Sequence, residues 1–256
     1  MDTQKISVCI LVKNAQDTIL ECLNSLSEFG EIILLDNESN DDTLNIAKNF
    51  NQTYQKLHIY SSKFIGFGKL KNLALSYAKN EWILSIDSDE VLEKEALEEL
   101  KALELASNSI IALPRKNLYR GEWIKACGWY PDFVWRVFNK NFTHFNDNFV
   151  HESVLIPTNS QKIKFKNGFK HYAFKDMQGI IHKMNTYTSY SAQEKFKNGK
   201  KTSFFAAFCR FHLVFFKDYF LRSGFKYGYK GFIVALLNAL GAFFRYAKLY
   251  ELQKDK

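Results

Sequence analysis

The first ninety residues alternate between short apolar runs and helix-period segments, and that alternation leaves few folds open. ISVCILV (6–12), EIILLD (31–36), LHIYSS (57–62) and EWILSID (81–87) are short, continuous and mostly β-branched or aliphatic, as strands buried on both faces are. AQDTILECLNSLSEF sets Ile19, Cys22, Leu23 and Leu26 at helical spacing. NDDTLNIAKNF reads as a second helix, with acids in the first turn where the helix dipole favours them, and GKLKNLALSYAKN as a third. Strict strand–helix alternation predicts an α/β fold, a mostly parallel sheet with helices on both faces. Ligands of such sheets bind in the crevice beyond the carboxyl ends of the strands.

Acids gather at two of those ends. Asp36 closes the second strand, and Asp87-Ser88-Asp89-Glu90 follows the fourth. Carboxylates this close repel and raise one another's pKa unless positive charge lies among them. Hard oxygen ligands at a crevice mouth suit Mg²⁺ or Mn²⁺, which takes one or two carboxylates and keeps its other positions for water and phosphate. Glu90 and Glu93 read instead as the cap and first-turn acids of the next helix, LEKEALEELKAL.

Beyond residue 107 the helical period gives way to expected short strands: SIIALPR (109–115), FVWRVF (133–138), ESVLI (152–156) and GFKHYAF (168–174). GEWIKACGWYPD, rich in glycine and aromatics, reads as a loop over the crevice. Helix resumes over 175–198. Residues 203–250 then carry 16 Phe or Tyr and seven Lys or Arg against one acid, Asp218.

Charge is uneven: residues 1–150 hold 16 Lys/Arg against 21 Asp/Glu, and residues 151–256 hold 19 against 6. A basic C-terminal part asks for an anionic partner. Nucleic acid is disfavoured, since no RNP, KH or helix-turn-helix pattern is present. Rings mixed with Lys and Arg on helices match interfacial helices on an anionic membrane surface, or else an oligomer interface. The four cysteines are scattered without metal spacing, which fits a reducing cytoplasm. No secretory leader is expected, and the longest apolar run, 231–244, falls short of the ~20 residues that span a bilayer. No GxGxxG follows the first strand, which argues against a dinucleotide dehydrogenase.

Five motifs in order resemble the family-2 glycosyltransferases, which have the Rossmann-like GT-A fold. They are SVCILVKN (7–14), LLDNESNDDT (34–43, through Asp36, Ser39, Asp41 and Thr43), GFGKLKNLAL (66–75), LSIDSDE (84–90), and GWYPDFVWRVF with FVHESV (128–138 and 149–154). The last motif and the aromatic tail resemble the lipopolysaccharide-core β-glucosyltransferase subgroup. The resemblance implies a GT-A domain over 1–175 (a donor half, 1–107, and an acceptor half, 108–175), with a C-terminal amphipathic helical region over 176–256. It implies inverting transfer of a hexose, glucose above all, from a UDP-sugar donor to a glycolipid acceptor such as the lipopolysaccharide core.

By the same resemblance Asp36 takes the uridine base or ribose, Asp87 the ribose or a metal-bound water, and Asp89 the metal, Mn²⁺ or Mg²⁺. Lys13, Gly66, Lys71 and Asn72 line the donor site and Arg136 contacts the diphosphate. Asp132 is the favoured catalytic base, with Glu152 its rival and His151 a further metal ligand; His171 is a second candidate histidine. The implied location is cytoplasmic, peripheral on the inner face of the membrane. An undecaprenyl-linked or capsule acceptor, and a non-catalytic nucleotide-binding protein, stay open as alternatives.

Overall fold

The computed structural model describes residues 1–174 and 176–255. The chain forms two compact units, Met1–Arg115 with Asp132–His171, and Lys116–Pro131 with Tyr172–Lys256. The segment expected as a crevice loop (121–132) thus belongs to the second unit except for Asp132, which is in the first.

The alternation read from the sequence builds the first unit. Its elements are β1 (Ile6–Val12), α1 (Ile19–Ser25), β2 (Glu31–Asp36), α2 (Thr43–Tyr54), β3 (Leu57–Ser61), α3 (Phe67–Tyr77), β4 (Trp82–Asp87), β5 (Glu90–Leu92) and α4 (Lys94–Lys101). β6 (Ser109–Tyr119) follows, then the short β7 (Glu122–Trp123), β8 (Phe133–Asn139), β9 (Gln161–Lys164) and β10 (Phe169–Phe174); β7 and the last residues of β6 and β10 fall within the second unit's bounds. Among the described residues the strands form one ten-stranded sheet, in the order β3-β2-β1-β4-β8-β6-β10-β5, with β7 and β9 on β6. Pairing is parallel through β3-β2-β1-β4 and antiparallel where β8 joins β4 and β6.

The period-two alternation of β1 explains helices on both faces. Val8, Ile10 and Val12 pack with Ile19, Leu23, Ala47 and Leu97 of α1, α2 and α4. Cys9 points the other way, to Leu70, Ala74 and Leu75 of α3. Each buried Val, Leu or Ile among them stabilises the fold by roughly 1.5–3 kcal/mol.

Three expectations need correction. ESVLI forms no strand; Val154 makes only an isolated bridge to Phe145. Glu90-Val91-Leu92 is a strand paired with β10, not a helix start. The helix begins at Lys94, with Glu93 at its cap position. Glu90 turns inward because it is the counter-ion of a buried arginine, described below. Third, the apolar run 231–244 lies within a longer helical stretch, Gly224–Lys254, which is long and apolar enough to cross a bilayer by length and composition.

The second unit is helical: α5 (Met177–Lys197), α6 (Phe204–Phe216) and α7 (Gly228–Lys254), with a π turn and a 3₁₀ turn between α6 and α7. Its core joins Tyr119, Ile124 and Cys127 to Ile180, Val234, Ala235 and Leu237. Asp218 is buried and accepts hydrogen bonds from Arg222 and Asn238. The outer side of α6 keeps large apolar side chains in the open: Phe205, Leu213 and, beyond the helix end, Leu221 are 72%, 69% and 72% exposed.

Candidate active site

Two loops at the carboxyl ends of β1 and β2 are laced together by the residues of the Asp-x-x-Ser-x-Asp-x-Thr motif. Ser39 Oγ accepts from Asn14 N at 2.9 Å, Asp41 Oδ2 from Gln16 N at 3.1 Å and Thr43 Oγ1 from Ala15 N at 2.7 Å. Asn14 and Gln16 return the favour, accepting from Asn40 N and Asp42 N. The later motif residues therefore hold the crevice wall. Asp36, buried at the end of β2, accepts from Ser39 N, and Lys13 stands exposed at the end of β1.

Asp36 pairs in register with Val12 of β1, and Asp87 with Leu11 on the other side of that strand. The two acids are thus two strand spacings apart, roughly 10 Å.

Asp87 is held from both sides. Lys71 Nζ donates to Oδ1 at 2.8 Å and Arg136 Nη2 to Oδ2 at 2.7 Å. Burial alone would push this carboxyl up, but the guanidinium and the ammonium hold it well below the usual carboxylate range. The same Arg136 Nη2 reaches Glu90 Oε1 at 2.7 Å, and Glu90 Oε2 accepts from Asp87 N at 2.9 Å. Glu90 is fully buried; burial and the nearby Asp87 raise its pKa, with Arg136 opposing them. Here lies the positive charge that the run of acids required.

Arg136 departs from the sequence reading. It is neither an exposed strand residue nor open toward a diphosphate; it is buried and committed to Asp87 and Glu90. Asn72 has a structural task. Its amide donates to Phe145 O and its carbonyl accepts from Phe145 N, both at 2.9 Å, so the side chain stands in for a strand partner. Gly66 has a backbone reason: φ is +100°, and a Cβ there would come within 3.0 Å of the Phe149 ring. Two residues on, Gly68 meets the Asn146 carbonyl so closely that a Cβ would sit 2.0 Å from it. GFG thereby seats the 145–149 loop that leads into His151 and Glu152.

The two candidate bases lie at the two ends of one charge network. Asp132 Oδ2 accepts from Arg115 Nε at 2.8 Å, and Arg115 Nη1 is 3.9 Å from Glu90 Oε1. Glu152 Oε1 is 3.5 Å from Lys71 Nζ, which also holds Asp87. The histidine set against Asp89 is His171, whose Nε2 is 3.4 Å from Asp89 Oδ2. His151 lies in an exposed left-handed turn before Glu152.

The donor set fits a hard divalent cation. Asp89 is half-buried, with carboxylate and imidazole side by side. Asp87, Glu90, Asp132 and Glu152 are tied together through Lys71, Arg115 and Arg136, and Asp89 stands against His171. No cluster of three or more His, Cys, Asp or Glu ligands forms among the described residues, so phosphate and water would supply the other positions.

Sequence reasoning missed Glu90 and Arg115 as parts of the site. The available signal was Arg136 itself, a lone cation in the apolar strand FVWRVF that demands a buried acid.

Residues 7–161 match the model of the family described as "Glycosyl transferase family 2". An uncharacterized glycosyltransferase of Rickettsia typhi is 32% identical over 97% of this chain and 88% of its own length. The lipopolysaccharide core biosynthesis glycosyltransferase LpsC of Rhizobium meliloti is 25% identical over 96% of this chain and 92% of its own. Among solved structures, S. aureus TarS 1–349 in complex with UDP is similar over 98% of this chain and 91% of that one, at 18% identity and a TM-score of 0.49. With the family match covering more than half the chain and relatives matching along nearly all of it, this protein belongs to glycosyl transferase family 2.

Proposed function

We propose that the chain transfers a hexose, glucose above all, from a UDP-linked donor to a hydroxyl of a membrane-associated glycolipid of the lipopolysaccharide-core type, with inversion. The observation that carries this reading is the pairing of a charge-locked Asp87 with a half-buried Asp89 at the carboxyl end of β4, beside His171. Similarity to LpsC supports the acceptor class.

Asp36 takes the uridine or ribose. Asp87, each oxygen already engaged by a cation, offers its remaining lone pairs to a ribose hydroxyl or a metal-bound water. Mn²⁺ or Mg²⁺, held by Asp89 with His171, would supply the Lewis acidity that steadies the departing diphosphate. Asp132 accepts the acceptor hydroxyl proton as the oxygen attacks C1 and the C1–O bond to diphosphate breaks, releasing UDP. Glu152 is the competing base, on the opposite end of the ion network. Single displacement needs no enzyme nucleophile.

The exposed rings of α6 and the basic excess of the C-terminal part support a cytoplasmic enzyme docked peripherally on an anionic membrane. The test is a screen of UDP-sugars for Mn²⁺-dependent donor turnover, followed by transfer to lipopolysaccharide-core acceptors. Selective UDP-glucose use with core transfer is expected; absence of turnover with every UDP-sugar would refute the reading.

A further inference from the structure

The second unit holds a cavity of about 350 Å³ between α5 and α7, within the size range of small-molecule sites. Ile180 and Met184 of α5 and Val234 and Leu237 of α7 give it apolar walls, spaced as one face of each helix. Its charge comes from Lys183 and Arg245, and no acid lines it. Lys183 Nζ sits 5.3 Å from the Phe174 ring centroid, while Arg245 makes no hydrogen bond or ion pair among the described residues.

Gly241 explains why the space persists. Glycine inside a helix weakens it relative to alanine, so it calls for a reason. At Gly231, also on α7, the reason is contact: a Cβ would lie 1.8 Å from the Gly224 carbonyl oxygen. At Gly241 a Cβ would meet only Met184, at an ordinary 3.6 Å. Packing tolerates alanine there; what the glycine keeps is open volume.

We infer that this cavity takes an acyl chain of an anionic lipid, with Arg245 and Lys183 receiving its phosphate. The charge at the rim selects the headgroup and the apolar walls select the chain. The inference deepens the acceptor side of the proposed function and rests on that reading for the identity of the lipid.

Dihexanoyl phosphatidic acid, used as a monomer, is titrated calorimetrically into the full chain. Saturable binding is expected. Gly241→Leu, which projects into the cavity, should weaken it about tenfold or more, since each methylene left unburied costs severalfold in affinity. Gly241→Ala, which takes up less of that volume, should weaken binding less than Gly241→Leu, and Arg245→Gln should lose about fivefold as a charge-assisted contact goes. Dihexanoyl phosphatidylcholine should bind more weakly than the phosphatidic acid. The inference is overturned by absent wild-type saturation, by unchanged binding in a folded Gly241→Leu protein, or by inorganic phosphate binding as tightly as the lipid. UDP binding with Mn²⁺, measured on the same wild-type sample, reports the donor reading separately, so the two fail independently.

Discussion

Arg136 Nη2 lies 2.7 Å from both Asp87 Oδ2 and Glu90 Oε1, so one nitrogen ties the strand-end acid to a fully buried one. Glu90 in turn accepts from the Asp87 backbone N–H, closing a loop around the Asp87-Ser88-Asp89 turn. The turn that presents Asp89 is thereby set from inside the protein.

Breaking this pair on one side should cost far more than removing it whole. Arg136→Met leaves Glu90 buried without its hydrogen-bonded cation, with only the more distant Arg115 nearby, and should destabilise by about 3–5 kcal/mol. Adding Glu90→Gln should restore a large part of that loss. Urea unfolding of the two single variants and the double variant gives the cycle; additive losses would show that the pair is not coupled.

The ionisation of Asp87 sets a pH signature. A carboxylate depressed in the folded state adds stability that is present above its unfolded value, near 3.9, and lost as pH falls through the lower folded one. Asp87→Asn should therefore melt below the wild type near neutral pH, and the gap should close below about pH 4. Melting curves across that interval check it. A gap independent of pH would mean the loss is not ionic.

For the base, Asp132→Asn should leave UDP binding unchanged and lower transfer by roughly 10²–10⁴-fold. Single-turnover transfer beside UDP calorimetry separates the steps. If Glu152→Gln shows that pattern and Asp132→Asn does not, the proton goes to Glu152.

Phe205, Leu213 and Leu221 are the outermost large apolar side chains of the second unit. Changing all three to Glu should abolish flotation with vesicles containing phosphatidylglycerol and leave UDP binding intact. Wild-type protein should be extracted from membranes by alkaline carbonate, as a peripheral protein is. Resistance to extraction would instead point to α7 crossing the bilayer.

The parallel half of the sheet was legible because β1, β2 and β4 are buried on both faces and so read as unbroken apolar runs. Short elements held by one long-range contact were not. Glu90-Val91-Leu92 carries helix-cap chemistry locally, and only its pairing with Phe169–His171 of β10, nearly eighty residues on, makes it a strand, with Arg136 holding Glu90 inward. Asp36, Asp87 and Asp89 announce themselves as acids at strand ends. The partners of Asp87 and Asp89 do not, because Lys71, Arg136 and His171 come from separate elements and meet only in the fold. Asn72 shows the reverse: a motif residue whose amide bonds the Phe145 backbone and the Asp147 carboxylate.

Calorimetric titration of UDP with and without Mn²⁺, on wild type and Asp89→Asn, weighs the electrostatic reading of the β4 acids. Each ligand should raise the affinity of the other by the same factor, about tenfold or more, in the wild type, and that coupling should vanish in Asp89→Asn. Equal UDP affinity with and without manganese in the wild type would show that Asp89 holds no cation beside the diphosphate and that the donor-site assignment is wrong.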